Sequence, residues 1–202
     1  MSPTTTFGPP LAVGIGSRHV RLCQAHVDAL FGEGYSLTPI TTLLQPNERA
    51  CMESVSLRGP AGELHKVRVV SPCTERTAVE LSAADLEMLG LDEGSDALST
   101  SDGSLGCTLM GPKGTIVLAA GVFVRPRTLI LPPSVATELS LSAKDETRVQ
   151  VMGERSRVFS DVPVQVIDQA LPEFRVSSED ANTLEVGPNL HAYVLGPNEG
   201  TA

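Results

Sequence analysis

The chain has no tryptophan, and aromatic residues make up only 3% of its 202 positions. A surface that holds single-stranded nucleic acid by base stacking needs aromatic platforms, and one that holds a phosphate backbone needs a basic face. With 15 Lys+Arg against 24 Asp+Glu and a net charge of −9, the chain offers neither, which excludes nucleic acid as a partner. No apolar run approaches the roughly 20 residues needed to cross a bilayer as a helix, so no membrane helix is expected. The opening MSPTTTFGPPL has no basic segment followed by an apolar one, so it does not read as a secretory signal, and the expected location is cytoplasmic. Cys23, Cys51, Cys73 and Cys107 form no C-x-x-C pair. A thiolate metal cluster is therefore unsupported, and the cysteines read as reduced, buried thiols. GPKG at Gly111–Gly114 lacks the length and the following Ser/Thr of a P-loop. GIGSRH lacks the third glycine of a dinucleotide fingerprint.

What the chain does have is internal repetition. Four segments share one pattern: Arg21–Gly32 (RLCQAHVDALFG), Glu80–Leu91 (ELSAADLEMLGL), Ile130–Leu141 (ILPPSVATELSL) and Arg175–Val186 (RVSSEDANTLEV). In each, a variable residue precedes an aliphatic one. A small or turn-forming residue follows (Cys23, Ser82, Pro132, Ser177), then apolar residues at helical spacing that end at Leu30, Leu89, Leu139 and Leu184. This is the signature of a strand end turning into a short capped helix. Repetition also makes the first positions comparable across the copies: Arg21, Glu80, Ile130 and Arg175.

Proline and glycine are frequent (15 and 18) and evenly spread, which suits short strands separated by regular turns. Apolar runs predict strands at Leu11–Ile15, Val67–Val70, Thr115–Ala119, Val122–Val124, Arg148–Met152 and Val162–Ile167. A second repeat, VSLRGPAG at Val55–Gly62 and CTLMGPKG at Cys107–Gly114, reads as two hairpins in which Pro sets one turn torsion and Gly supplies the positive one. The expected fold is mainly β: two tandem small β-barrel domains capped by short α-helices. The expected division is a flexible arm over 1–10, a first barrel half over 11–95, a linker over 96–106, a second half over 107–195 and a flexible tail over 196–202, with strands free to exchange between halves.

GIGSRHVRL, LFGEGYSLTPITTLLQP, the two GP-x-G hairpins and AVELSAADLEMLG, in that order, resemble the phosphate propanoyltransferase (phosphotransacylase) family of propanediol-utilisation microcompartments. The resemblance spans roughly Leu11 to Val186. It implies two tandem barrels and the transfer of an acyl group between coenzyme A and phosphate, with two zinc ions held mainly by histidines. It also implies where the ligands should fall. The first His-x-His pair corresponds to His19 and Arg21, and the glutamate ligand to Glu80. The second His-x-His pair corresponds to Thr128 and Ile130, and the last histidine to Arg175. The family's phosphate-contacting arginine corresponds to Thr74, with Arg76 nearby as a substitute. Only His19 and Glu80 keep a ligand-type side chain.

A zinc site needs three or four converging N, S or O donors, so no metal cofactor is expected and His19 and Glu80 read as vestigial. His26, His65 and His191 read as surface histidines. Glu80, if buried, needs a cation, for which Arg21 is the candidate; the alternative is that Arg21 points to solvent and Glu80 merely ends a strand. Arg21, Arg76, Arg127 and Arg175 are candidates to bind an anion such as coenzyme A, acyl phosphate or phosphate. The aliphatic Ile130 favours the opposite reading, a cavity filling with core. Three functions stay open at this point. The first is a degenerate family member that binds an anionic ligand or a protein partner. The second is an active phosphate acyltransferase with a rearranged site, and the third is a structural component of an enzyme assembly. Met1–Pro10 contains three prolines and three consecutive threonines and cannot form an amphipathic targeting helix, so recruitment to a microcompartment would use another surface. The family also allows a homodimer.

Overall fold

The computed structural model describes residues 7–91, 105–153, 156–184 and 190–196. The elements run, in chain order, β1 (Phe7–Ile15), β2 (His19–Arg21), α1 (Gln24–Phe31), β3 (Pro39–Thr42), β4 (Arg49–Arg58), β5 (Glu63–Ser71), β6 (Ala78–Leu81) and α2 (Ala83–Leu89). They continue with β7 (Leu105–Met110), β8 (Thr115–Val124), β9 (Thr128–Leu131), α3 (Pro133–Glu138), β10 (Glu146–Met152), β11 (Arg157–Val166), β12 (Glu173–Val176), α4 (Ser178–Leu184) and β13 (His191–Gly196).

The four repeats are the strand–helix junctions β2–α1, β6–α2, β9–α3 and β12–α4. Their starts are capped in different ways. Ser82 and Asp85 form a reciprocal capping box on α2, satisfying two backbone donors that the first turn leaves orphaned. Ser177 accepts from the Asp180 amide at α4. At α3, Pro132 leads into Pro133 in the first turn, a position where a missing N–H costs nothing. Cys23, at α1, likewise caps without a side-chain hydrogen bond to its helix.

The fold is mainly β, with two barrels, and each barrel uses two repeats. In the unit formed by Ser17–Pro126 the strand order is β4-β5-β2-β6-β8-β7, closed by β4–β7, with β3 added beside β4. In the unit formed by Met1–Gly16 with Arg127–Ala202 the order is β1-β12-β9-β11-β10-β13, also closed. Both follow one plan. The two repeat strands pair antiparallel (β2 with β6, β9 with β12), and each also pairs parallel with the last strand of its own repeat (β2 with β5, β6 with β8, β9 with β11, β12 with β1). In the fourth repeat β1 fills that place. Val20, Leu57, Val69 and Val79 lie in one core; Leu11, Leu129, Val149 and Phe174 lie in the other.

The units therefore divide near Gly16/Ser17 and Pro126/Arg127, not within 96–106. Both GP-x-G hairpins, β4–β5 and β7–β8, belong to the same barrel, because strand pairing across that barrel unites two repeats that are consecutive in sequence. Phe7–Pro10 belongs to β1 instead of an arm. Leu105 and Gly106 belong to β7, Gly196 belongs to β13, and Thr115–Val124 is one strand. The remainder of the expected linker and tail, 96–104 and 197–202, lies outside the described residues.

The two hairpins also lock the helices. Gly59 N–H bonds Gly62 O at 2.9 Å and Gly111 N–H bonds Gly114 O at 2.9 Å. Ala61 N–H then caps the Leu89 carbonyl of α2, and Lys113 N–H the Leu30 carbonyl of α1, each at 3.0 Å. Each repeat's hairpin thus satisfies an orphaned carbonyl at the end of the other repeat's helix. A Cβ at Gly59 or Gly111 would collide with those same carbonyl oxygens, so glycine is required at both.

Candidate functional site

In the Ser17–Pro126 barrel the repeat strands place His19 directly opposite Glu80 and Arg21 opposite Ala78. His19 Nδ1 bonds the Ser17 carbonyl at 2.8 Å. A carbonyl only accepts, so Nδ1 carries the proton and Nε2 presents a lone pair, 3.8 Å from Glu80 Oε2. Burial pushes the His19 pKa below its ordinary 6.5, against the opposing pull of Glu80, and the imidazole is neutral at pH 7. The cation on Glu80, which is 5% exposed, is Arg125. This residue follows β8, the strand paired parallel with β6. Its Nε lies 2.7 Å from Glu80 Oε2, and its guanidinium stacks 5.4 Å from the Phe123 ring centroid.

The expected Arg21–Glu80 pair is thus not formed. The antiparallel register sets Arg21 two residues away from Glu80's partner position, and Arg21 Nη2 bonds Glu48 Oε1 at 2.6 Å instead.

In the other barrel the equivalent ladder pairs Glu173 with Ile130 and Arg175 with Thr128. Glu173 is 1% exposed, and Arg175 grips it through Nε–Oε1 (2.9 Å) and Nη2–Oε2 (3.0 Å), the fork geometry that makes Arg–carboxylate pairs strong. Any side chain at Gly14 would strike the Glu173 carboxylate. Thr128 and Ile130 are buried. Arg127 Nε lies 3.4 Å from Asp180 Oδ2, with the guanidinium over the Phe159 ring at 4.9 Å. Arg76 is exposed and makes no ion pair among the described residues.

Four charged residues of these sites were not foreseen from sequence: Arg125, Glu48, Glu173 and Asp180. Repeat alignment carries a signal for Glu173, which occupies the position of His19. Arg125 and Glu48 lie outside the repeats and carry none. Of the other histidines, His65 Nδ1 meets Ser56 at 3.1 Å, His191 is an exposed residue of β13, and His26 Nδ1 meets Thr77 Oγ1 at 2.7 Å. Among the described residues no three His, Cys, Asp or Glu side chains converge on a point that a metal would occupy.

The family model described as phosphate propanoyltransferase matches residues 12–187. The chain belongs to the phosphate propanoyltransferase family. A phosphate propanoyltransferase of Rhodobacter capsulatus is 36% identical over 90% of this chain and 85% of its own length. One of Thermotoga maritima is 34% identical over 93% and 90%, and one of Rhodopseudomonas palustris is 37% identical over 86% and 77%. The matched residues 12–187 take in the whole Ser17–Pro126 barrel and β9–β12 of the other. No helix among the described residues is long and apolar enough to cross a membrane.

Proposed function

We propose that this phosphate propanoyltransferase family member does not carry out zinc-dependent acyl transfer. Instead, it binds a phosphate-bearing ligand of the coenzyme A, acyl phosphate or phosphate class. The observation that carries this reading is the contact of Arg125 Nε with Glu80 Oε2 at 2.7 Å, a guanidinium on the carboxylate that the resemblance assigns to a metal. The donor set argues the same way. Arg21, Ile130 and Arg175 have no lone pair to give, and Glu173 is bound at both oxygens by Arg175. In the Ser17–Pro126 barrel His19 and Glu80 remain, fewer donors than a zinc ion takes. These residues do not fit a zinc pair, and no step is assigned to one.

The arginines divide the anion-binding expectation unevenly. Arg21, Arg127 and Arg175 each face a carboxylate within 3.4 Å, which cancels their charge toward an incoming anion. Arg76 is exposed and makes no ion pair among the described residues, so it is the one of the four best placed to take an anion.

Metal analysis of the purified protein and a thermal-shift series with coenzyme A, acetyl phosphate and phosphate test the reading. A metal-free protein whose melting point rises with such a ligand, and rises less in Arg76→Ala, is the expected result, because a ligand that binds the native state stabilises it. Stoichiometric zinc, with phosphate-dependent acyl transfer lost on chelation, overturns it. The second reading, an active acyltransferase with a rearranged site, is favoured by the identity of 34–37% to proteins named for that activity. It predicts turnover that chelators leave untouched. A protein that neither turns over nor responds to any of these anions would be a protein-binding or structural component of an enzyme assembly.

A further inference from the structure

At the far end of the β2/β6 ladder from His19–Glu80, three chemically active side chains meet. Cys23 is half-buried and follows β2; Thr77 is 6% exposed and precedes β6. Thr77 Oγ1 lies 2.7 Å from His26 Nδ1 and 3.6 Å from Cys23 Sγ, and it accepts from Cys23 N–H at 3.1 Å. The same two side-chain contacts serve a proton on either end. With the proton on sulfur, Cys23 S–H faces Thr77 and the Thr77 hydroxyl donates to His26. With the proton on His26, Nδ1–H donates to Thr77 and the hydroxyl donates to a Cys23 thiolate. Thiol, hydroxyl and imidazole form a proton relay.

Three further observations bear on what this thiol would meet. Cys23 caps α1 without a side-chain bond to the helix, and the first turn holds no acidic residue, so the positive end of the helix is not neutralised. Cys23 O accepts from the His26 and Val27 amides, which leaves the Gln24 and Ala25 amides ahead of the first intrahelical bonds. Thr74 N–H bonds Leu22 O at 3.0 Å and Cys23 N–H bonds Thr77 Oγ1 at 3.1 Å, which holds the segment carrying Arg76 against Leu22 and Cys23. Arg76 is exposed and makes no ion pair among the described residues.

We propose that Cys23 is a nucleophile that accepts an acyl group from a phosphate-bearing acyl donor, a thioester of the coenzyme A class or an acyl phosphate. The choice of donor rests on the family reading above; the relay does not. In the reaction the Cys23 proton passes to Thr77 Oγ1 while the Thr77 proton passes to His26 Nδ1. The sulfur adds to the carbonyl carbon, and the carbonyl oxygen takes the electron pair facing the Gln24 and Ala25 amides. Collapse breaks the bond to the leaving group, and the relay returns one proton. The donor departs as a free thiol, or as phosphate, and an acyl-Cys23 thioester remains. No metal or oxidant enters the balance.

The protein supplies its own control. Cys73 is exposed, but its thiol points at the Gln24 amide oxygen at 3.7 Å and not at an imidazole. Partial desolvation and the neighbouring Cys51, Cys23 and Asp28 push its pKa up.

The test incubates the full chain with acetyl coenzyme A and, separately, acetyl phosphate, and reads intact mass and thiol-specific peptide masses. One acetyl group on the Cys23 peptide and none on Cys73 is the expected result. Cys23→Ser should abolish the adduct, His26→Gln should slow its formation by about 10²-fold, and Arg76→Ala should weaken dependence on donor concentration while leaving iodoacetamide labelling of Cys23 intact. Folding of each variant is checked by circular dichroism, and Thr77→Val is a second relay variant if His26→Gln fails to fold. An adduct on Cys73 instead, no adduct from either donor, or an undiminished rate in His26→Gln overturns the proposal. Metal analysis of the same sample reads the zinc question separately, so each reading can fail alone.

Discussion

Arg125 reaches Glu80 from the end of the strand that runs parallel to it, Nε to Oε2 at 2.7 Å, and supplies the positive charge that this buried carboxylate requires. The carboxylate is 6% exposed and the guanidinium 26%, so the pair gives up most of its hydration at both ends, more at Glu80 than at Arg125.

Removing one partner of such a pair strands the other. Arg125→Ala is expected to lower unfolding free energy by about 3 kcal/mol, read as a reduced midpoint in urea. The double variant Glu80→Leu, Arg125→Met should lie within about 1 kcal/mol of wild type, because an apolar pair removes the stranded charge. Equal losses in the single and double variants would show that Arg125 matters for packing on Phe123 and not for charge.

His19 makes stability depend on pH in one direction. Its folded pKa is depressed, mainly by burial, so below the unfolded value of 6.5 the unfolded chain takes up a proton that the folded chain refuses. Stability is full above that value and declines as pH falls from 6.5 toward the depressed folded pKa. Urea titrations across this window should show the decline in wild type and a flatter profile in His19→Gln.

The hairpin glycines separate crowding from conformation. Gly111→Ala drives a Cβ into the Leu30 carbonyl and should cost about 2 kcal/mol or more. Gly34 has φ +72 with nothing within 4 Å of an added Cβ, and Gly34→Ala should cost about 1 kcal/mol. Denaturant midpoints of the two variants read the difference; equal costs would mean that the hairpin yields at its contact with α1.

Closure of the second barrel by β1 is testable by dissection. Ser17–Pro126 expressed alone should unfold cooperatively. The segment 127–202 alone should not, since β12 and β13 both lose β1 as their neighbour, and a peptide covering 7–16 should restore a cooperative transition. Amide exchange of the β12 and β13 backbone checks it.

Local patterning made the repeat units readable. All four helices lie within the segments that spacing and cap residues mark, and both GP-x-G motifs are hairpins, because caps and turns depend on residues a few positions apart. Assignment of the repeats to barrels depends on strand pairing between distant segments, which no local pattern encodes. Residues Phe7–Ile15 read only as an arm and a strand until β12 and β13 are seen beside them. The mistaken Arg21–Glu80 pair has the same origin. The repeat aligns Arg21 with Glu80 by position, but antiparallel strands place equivalent positions on a diagonal, and His19 is the residue opposite. Arg125, outside every repeat, becomes visible only once β6 and β8 lie side by side.

The pairing of β1 with β12 and β13 imposes an order on synthesis. The middle barrel has all its strands once Pro126 has left the ribosome, whereas the earliest strand made must wait, its edges unmatched, until nearly the whole polypeptide has emerged. During that interval β1 is an unpaired strand tethered to a finished domain, and an unpaired strand edge is open to a neighbouring nascent chain.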